Sequence, residues 1–298
     1  MNARLLHPLG FVAALCSLEG GLCAPAFGRD VPVIDTEDAT LGSTTIASSG
    51  RLHPIFAFDL RNGDFARGNY DDDRADLERL PVHAQIGLAV ELRRNGKDVA
   101  DTWLVLRSSN GFHASSADET TSPRAWYESN TLAALVFTPA PGLRTAAVYT
   151  IKTSPNGVSS TTHEASLSAA YDGKDMFGRV SPTFVATIRP KGDHGLFTQV
   201  GIEPAFELAA RDDATQLSLP LAIGVGWNGF YGPGTRDRGF ASAGLALQQP
   251  FSIGATHWSA RIEALALIRD DRLAALSGPD GETDTVEPLV TLALSLAY

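Results

Sequence analysis

Twelve segments of this chain alternate apolar and polar residues one by one, and that pattern constrains the fold more than any other feature. Pro81 to Arg93 shows it best. Val82, Ala84, Ile86, Leu88, Val90 and Leu92 fall on one side; His83, Gln85, Gly87, Ala89, Glu91 and Arg93 fall on the other. Successive side chains of a β-strand point to opposite faces, so each segment reads as a strand with one greasy and one wet face. The predicted strands cover 52–60, 81–94, 101–108, 130–138, 143–153, 161–171, 181–189, 196–208, 215–227, 239–249, 256–269 and 287–298. Many exceed the five or six residues usual in soluble sheets and reach the roughly 9–11 that a tilted strand needs to cross a bilayer.

A sheet with one apolar face must bury it. In water two sheets bury such faces against each other. In a membrane the face meets lipid, and the sheet closes because an open edge would strand backbone groups in hydrocarbon. The opposite face here is often Gly, Ala or Ser with scattered charges, as a narrow lumen requires. The prediction is an all-β fold, a transmembrane antiparallel up-and-down barrel of about 12 strands.

The connections give the orientation. The stretches 61–80, 109–129, 228–238 and 270–286 are long; Asn95-Gly96-Lys97-Asp98 and Pro139-Ala140-Pro141-Gly142 are short. Membrane barrels make short periplasmic turns and longer outer loops. Phe137, Tyr171, Phe184, Phe206, Trp258 and Tyr298 are expected near the periplasmic boundary, and Trp126, Phe197, Trp227 and Phe240 near the outer one. Pro204 and Pro220 fall inside predicted strands, where each removes a ladder donor.

Residues 1–26 read as a cleaved export signal. Arg4 is followed by the apolar stretch Leu9 to Leu18 and by the small-x-small site Ala24-Pro25-Ala26. Both cysteines, Cys16 and Cys23, lie within it, so the exported chain would hold no disulfide and no thiolate metal site. Residues 27–50 are rich in Ser, Thr, Asp and Gly and do not alternate. They are expected to form a flexible periplasmic arm, with a lumen insert as the other reading, and 51–298 the barrel. The formal net charge of −10 argues against a nucleic-acid partner.

In the last segment Val290, Leu292, Leu294, Leu296 and Tyr298 alternate with Thr291, Ala293, Ser295 and Ala297. This resembles the C-terminal recognition strand of Gram-negative outer-membrane proteins. The resemblance implies an outer-membrane location amid lipid and lipopolysaccharide. It also implies assembly by the barrel-assembly machinery, with Leu292, Leu294, Leu296 and Tyr298 as the signal. The runs Trp126-Tyr127-Glu128-Ser129-Asn130, Thr153-Ser154-Pro155-Asn156-Gly157 and Gly201-Ile202-Glu203-Pro204-Ala205-Phe206, with Tyr149-Thr150 and His163-Glu164, look like a group of uncharacterised porin-like proteins. That likeness covers about 81–298 and implies fold and location rather than cargo.

The lumen parity selects Gln85, Glu91, Arg93, Glu128, Glu164, Gln199, Glu203, Glu207, Arg261 and Glu263 as pore-lining candidates. Opposed charged walls can tune ion choice in a pore. Acids crowd the outer loops, at Asp71-Asp72-Asp73, Asp76, Glu78, Asp118, Glu119, Asp270, Asp271, Asp280, Glu282 and Asp284, without EF-hand spacing. No cofactor and no metal ligand set is expected. Arg107-Ser108-Ser109-Asn110-Gly111 resembles the end of the His-x-Ser-Asn-Gly signature of outer-membrane phospholipases. However, Arg107 stands where the base should be and cannot accept the serine proton. His113 follows at a different spacing. The sequence therefore predicts a non-enzymatic, porin-like channel for small solutes or ions. Two alternatives stand beside it: a blocked-lumen structural or surface-interaction barrel, and a lipid hydrolase centred near Ser109, Asn110 and His113.

Overall fold

A computed structural model describes residues 29–42, 45–47, 50–70, 80–94, 101–115, 121–157, 159–173, 175–192, 194–209, 214–254, 256–276 and 284–298. The export signal, the Asn95–Asp98 turn and the loop acids other than Asp270, Asp271 and Asp284 lie outside them.

The barrel strands are β1 (Leu52–Arg61), β2 (Val82–Arg93), β3 (Thr102–Phe112), β4 (Trp126–Ala140), β5 (Leu143–Thr153) and β6 (Thr162–Tyr171). They continue as β7 (Thr183–Lys191), β8 (Leu196–Ile202, resuming as Ala205–Glu207) and β9 (Gln216–Ser218, resuming as Leu221–Trp227). β10 (Arg238–Ile253), β11 (Thr256–Arg269) and β12 (Val286–Ala297) complete the wall. Each strand pairs antiparallel with its neighbour in sequence, and β12 returns to β1, with Leu292 opposite Leu60 and Leu294 opposite Phe58. The result is a closed antiparallel β-barrel of twelve strands. Closure gives both rims of the sheet a hydrogen-bonding partner.

Pro204 and Pro220 mark where β8 and β9 break. Their carbonyls still accept, Pro204 from Leu219 N at 3.0 Å and Pro220 from Gly244 N at 3.0 Å. β3 and β4 outrun their predicted lengths, because register continues from Thr102↔Phe137 up to Phe112↔Trp126. Ser109, Asn110 and Gly111 therefore stand in a strand rather than a loop.

The alternation holds in three dimensions. Ile86, Leu167, Ile188, Val200, Ile223 and Leu245 are each more than half exposed on the outer face. Such a belt is stable in lipid and not in water. Trp126, Trp227, Phe137, Phe184 and Phe206 are also exposed, but Phe197 and Phe240 are not part of an outer girdle. They face inward and stack with ring centroids 6.3 Å apart, because their parity is that of the lumen.

The lumen is filled. Arg29–Val31 pairs with Thr45–Ala47, and the bridge Ile34↔Leu41 extends this hairpin toward a turn at Thr36–Asp38. Val31, Ile34, Leu41 and Ala47 are fully buried. Arg107 donates to the Ile34 carbonyl, Ser168 Oγ accepts from Leu41 N at 3.0 Å and Arg144 donates to the Gly42 carbonyl at 2.9 Å. The expected flexible periplasmic arm is corrected by this placement. Its apolar residues leave water only inside the barrel, and wall side chains satisfy the backbone there.

The end with the long loops is capped from above. Phe65–Ala66 pairs with Asn69–Tyr70 around Arg67-Gly68, both with positive φ (54° and 76°), which is the two-residue turn that suits a right-handed hairpin twist. A side chain on Gly68 would meet the Phe240 ring at 2.6 Å. A short helix, α1 (Asp271–Ala274), buries Leu273 and Ala274; Asp270 caps it by accepting from Arg272 N and Leu273 N.

Candidate functional site at the long-loop mouth

Where the hairpin tip meets the upper wall, a cluster of ionisable groups assembles from five elements. Asp59 and His83 lie directly opposite each other on β1 and β2, both facing inward. His83 Nδ1 contacts Asp59 Oδ1 at 3.1 Å, and Gln85 donates to Asp59 Oδ2. Asp64 comes from the loop after β1, Glu37 from the hairpin tip and Glu128 from β4. Arg61 donates to Glu37, to Asp59 at 2.7 Å and to Asp64 at 3.1 Å.

Tyr127 enters through a bulge. Gly111 opposes Glu128 and Phe112 opposes Trp126, so Tyr127 is the extra residue of β4. The bulge turns Tyr127 into the lumen beside Glu128, which already shares the inward parity of Asn130; the two are 1% and 5% exposed. A Cβ on residue 111 would meet the Tyr127 ring at 2.7 Å, so glycine there makes room for the phenol. Tyr127 donates to Asp64 Oδ2 at 2.7 Å, and its oxygen lies 2.9 Å from His83 Nε2.

Charge is unevenly tolerated in this cluster. Burial pushes the Glu37 carboxyl well above its ordinary range, against the pull of Arg61. Burial acts the same way on Asp64, but His83 and Arg61 outweigh it and hold that carboxyl well below the usual range.

A second buried group stands beside the first. Arg67, at the turn of the loop hairpin, donates to both oxygens of Glu164 at 2.6 and 2.7 Å, and Arg189 adds a contact at 3.1 Å. Arg67 lies over Phe197 and Phe230, and Arg189 over Phe230 at 3.9 Å. A cavity of about 280 Å³ opens at this mouth between the two groups, with Tyr127, Glu128, Asn130, Lys152, Arg189 and Tyr231 in its wall. At the other end a cavity of about 250 Å³ lies beside Thr40–Gly42, Arg144 and Glu203.

The pore-lining candidates fall into three groups. Glu128 and Glu164 are in the mouth clusters, and Gln85 links Asp59 to Arg107. Gln199 donates to Asp38 of the hairpin at 2.9 Å, and Arg261 bridges Glu203 and Glu263. Glu91 is buried toward the short-turn end and pairs with Arg94 at 2.7 Å. Arg93 and Glu207 are exposed at strand ends. The inward charges thus mostly hold one another and the insert. Sequence reading did not single out Asp59, Asp64, His83 or Tyr127. Parity could have flagged Asp59 and His83; nothing in the sequence shows that a loop and a bulge bring Asp64 and Tyr127 to them.

The phospholipase-like run does not assemble. Ser109 is fully buried toward the lumen, and its Oγ has no hydrogen-bond partner among the described residues. Asn110 points the other way, bonded to Ser108 and Ser129. His113 Nδ1 donates to the Ala114 carbonyl. Neighbouring residues in a strand take opposite faces, so Ser109 and Asn110 cannot serve one site.

No family model matches the chain, and no curated protein matches it. Among solved structures, it is similar to a chain from the study "Unveiling the Mechanism Behind the in-meso Crystallization of Membrane Proteins", at 9% identity and a TM-score of 0.44 over 83% of each chain. It is also similar to LpxR from Salmonella typhimurium, at 8% identity and a TM-score of 0.41 over 82% of this chain and 99% of that one. The expectation of a non-enzymatic barrel is withdrawn on this chain's own geometry, a buried acid–base cluster beside an open cavity. The closed twelve-stranded antiparallel barrel rests on this chain's own strand pairing.

Proposed function

We propose that this protein is an outer-membrane barrel with a blocked lumen, acting through the pocket and loops at its long-loop mouth and not as a constitutive pore. The observation that carries this reading is the 29–47 hairpin, whose Val31, Ile34 and Leu41 are fully buried inside the wall. The long-loop mouth faces outward, as long loops do in membrane barrels. The C-terminal strand, ending at Leu292, Leu294, Leu296 and Tyr298, is the segment offered to the assembly machinery.

One observation favours a hydrolytic version. Tyr127 and Glu128 stand in the pocket wall and lead to His83 and Asp59, a chain of groups able to move a proton. Arg189 and Lys152 on the same wall suit the anionic part of an envelope lipid.

The test is planar-bilayer conductance of the refolded chain, alongside the variant lacking 29–47. The intact chain is expected to be silent and the deletion to give discrete steps. Steps from the intact chain would overturn the blocked-lumen reading. For the hydrolytic version, release of fatty acid from outer-membrane lipid should fall in Tyr127→Phe; no release by the intact chain would remove it.

A further inference from the structure

We infer that the mouth cluster is a binding site for one divalent cation of the zinc type, ligated by His83 Nε2, Asp64 Oδ2 and Glu128 Oε2, with Glu37 as the fourth group. The inference shares the lumen hairpin with the blocked-lumen reading, since Glu37 sits at its tip, but it is read by metal binding and not by conductance.

The spacing comes first. His83 Nε2 lies 3.4 Å from Asp64 Oδ2 and 3.4 Å from Glu128 Oε2. Metal–ligand bonds of about 2.0–2.2 Å at a tetrahedral angle put neighbouring ligand atoms roughly 3.4 Å apart. Glu37, Asp64 and His83 bring their ligand atoms within 4.8 Å of one another, and Glu128 joins this group through its contact with His83.

The second observation is Glu128. Its side chain is 7% exposed, and Oε2, 3.4 Å from His83 Nε2, is buried without a hydrogen-bond partner among the described residues. The other oxygen, Oε1, accepts from Asn130, which fixes the carboxylate plane. A buried carboxylate oxygen with no hydrogen bond is costly unless a cation meets it.

Hydrogen-bond direction points the same way. Asp59 accepts from His83 Nδ1–H, and Tyr127 spends its one proton on Asp64. Nε2 then faces three oxygens, on Tyr127, Asp64 and Glu128, and needs a positive charge, either a proton or a metal ion. The carboxylates of Asp59, Asp64 and Glu128 outnumber the guanidinium of Arg61 among the described residues of the cluster. A divalent ion relieves that excess more fully than a proton. A carboxylate behind the remote nitrogen of a ligating histidine, as Asp59 is here, is the usual support of such sites. The ion would tie hairpin tip, loop, β2 and β4 together.

The test uses the untagged full chain, refolded in detergent, stripped with a chelator and titrated with Zn2+ by calorimetry. Folding of every variant is checked by heat-modifiable gel mobility. We expect saturable binding of about one Zn2+ per chain, lost in His83→Ala and weakened at least tenfold in Glu128→Gln. Glu207→Gln, at an exposed strand end, should bind as the parent does. Co2+ in place of Zn2+ should give the strong visible bands of a tetrahedral site. Absence of saturable binding by the parent, or parent-like affinity in Glu128→Gln, would overturn the site and leave His83 as a protonated partner of its carboxylates. Should His83→Ala not fold, Glu128→Gln decides.

Discussion

Arg67 and Glu164 stand 97 residues apart in sequence and meet inside the barrel through two hydrogen bonds of 2.6 and 2.7 Å. This pair pins the loop hairpin after β1 to the wall strand β6. Burial works against the charge on Arg67, and Glu164 more than offsets it. Such pairs are worth little when replaced whole and much when half is removed.

Arg67→Ala is therefore expected to destabilise the folded barrel by about 3 kcal/mol, the low end for a broken buried pair, since Arg189 still reaches Glu164. The double variant Arg67→Met with Glu164→Leu should recover most of that loss. Denaturant unfolding in lipid vesicles, followed by gel mobility, checks both; equal losses in the single and double variants would contradict the coupling.

Gly68→Ala should cost more than Gly254→Ala. Both positions have positive φ, 76° and 62°, but a Cβ at 68 meets the Phe240 ring at 2.6 Å while none of the described atoms lies within 4 Å at 254. Backbone strain alone is about 1–2 kcal/mol, and forced packing adds roughly 1–3 at position 68. Unfolding midpoints of the two variants give the comparison.

Leu167→Arg should impair membrane insertion. Leu167 is 65% exposed in the middle of β6, on the face turned to lipid. A charge near the bilayer midplane of a barrel costs about 2–4 kcal/mol. The fraction of chain that refolds into vesicles should fall. An unchanged yield would place this face in water.

Arg107→Ala should loosen the lumen hairpin without unfolding the wall. Arg107 donates to the Ile34 carbonyl and to Gln85, so its loss leaves the hairpin backbone without that donor. Limited proteolysis within 29–47 should speed up while heat-modifiable mobility is retained. Parent-like cleavage would show that apolar packing alone holds the insert.

The sequence by itself determined the wall. A period of two, long segments and the placement of turns leave few choices for residues such as Ile86, Leu167 and Leu292, because parity decides which face meets lipid. It also marked the inward candidates Glu128, Glu164 and Arg261 by the same rule. What filled the lumen was decided by tertiary structure alone. Residues 27–50 carry no periodicity, and Val31, Ile34 and Leu41 show their role only against a cavity that closure creates. The mouth cluster likewise depends on register. Asp59 and His83 meet because β1 and β2 pair at those residues. Tyr127 joins them because one extra residue in β4 reverses the local parity. Asp64 and Glu37 arrive on segments whose paths are set by the space left inside the barrel. Alternation is a local property that a sequence displays; register, bulges and the filling of a cavity are long-range choices, made when the sheet closes.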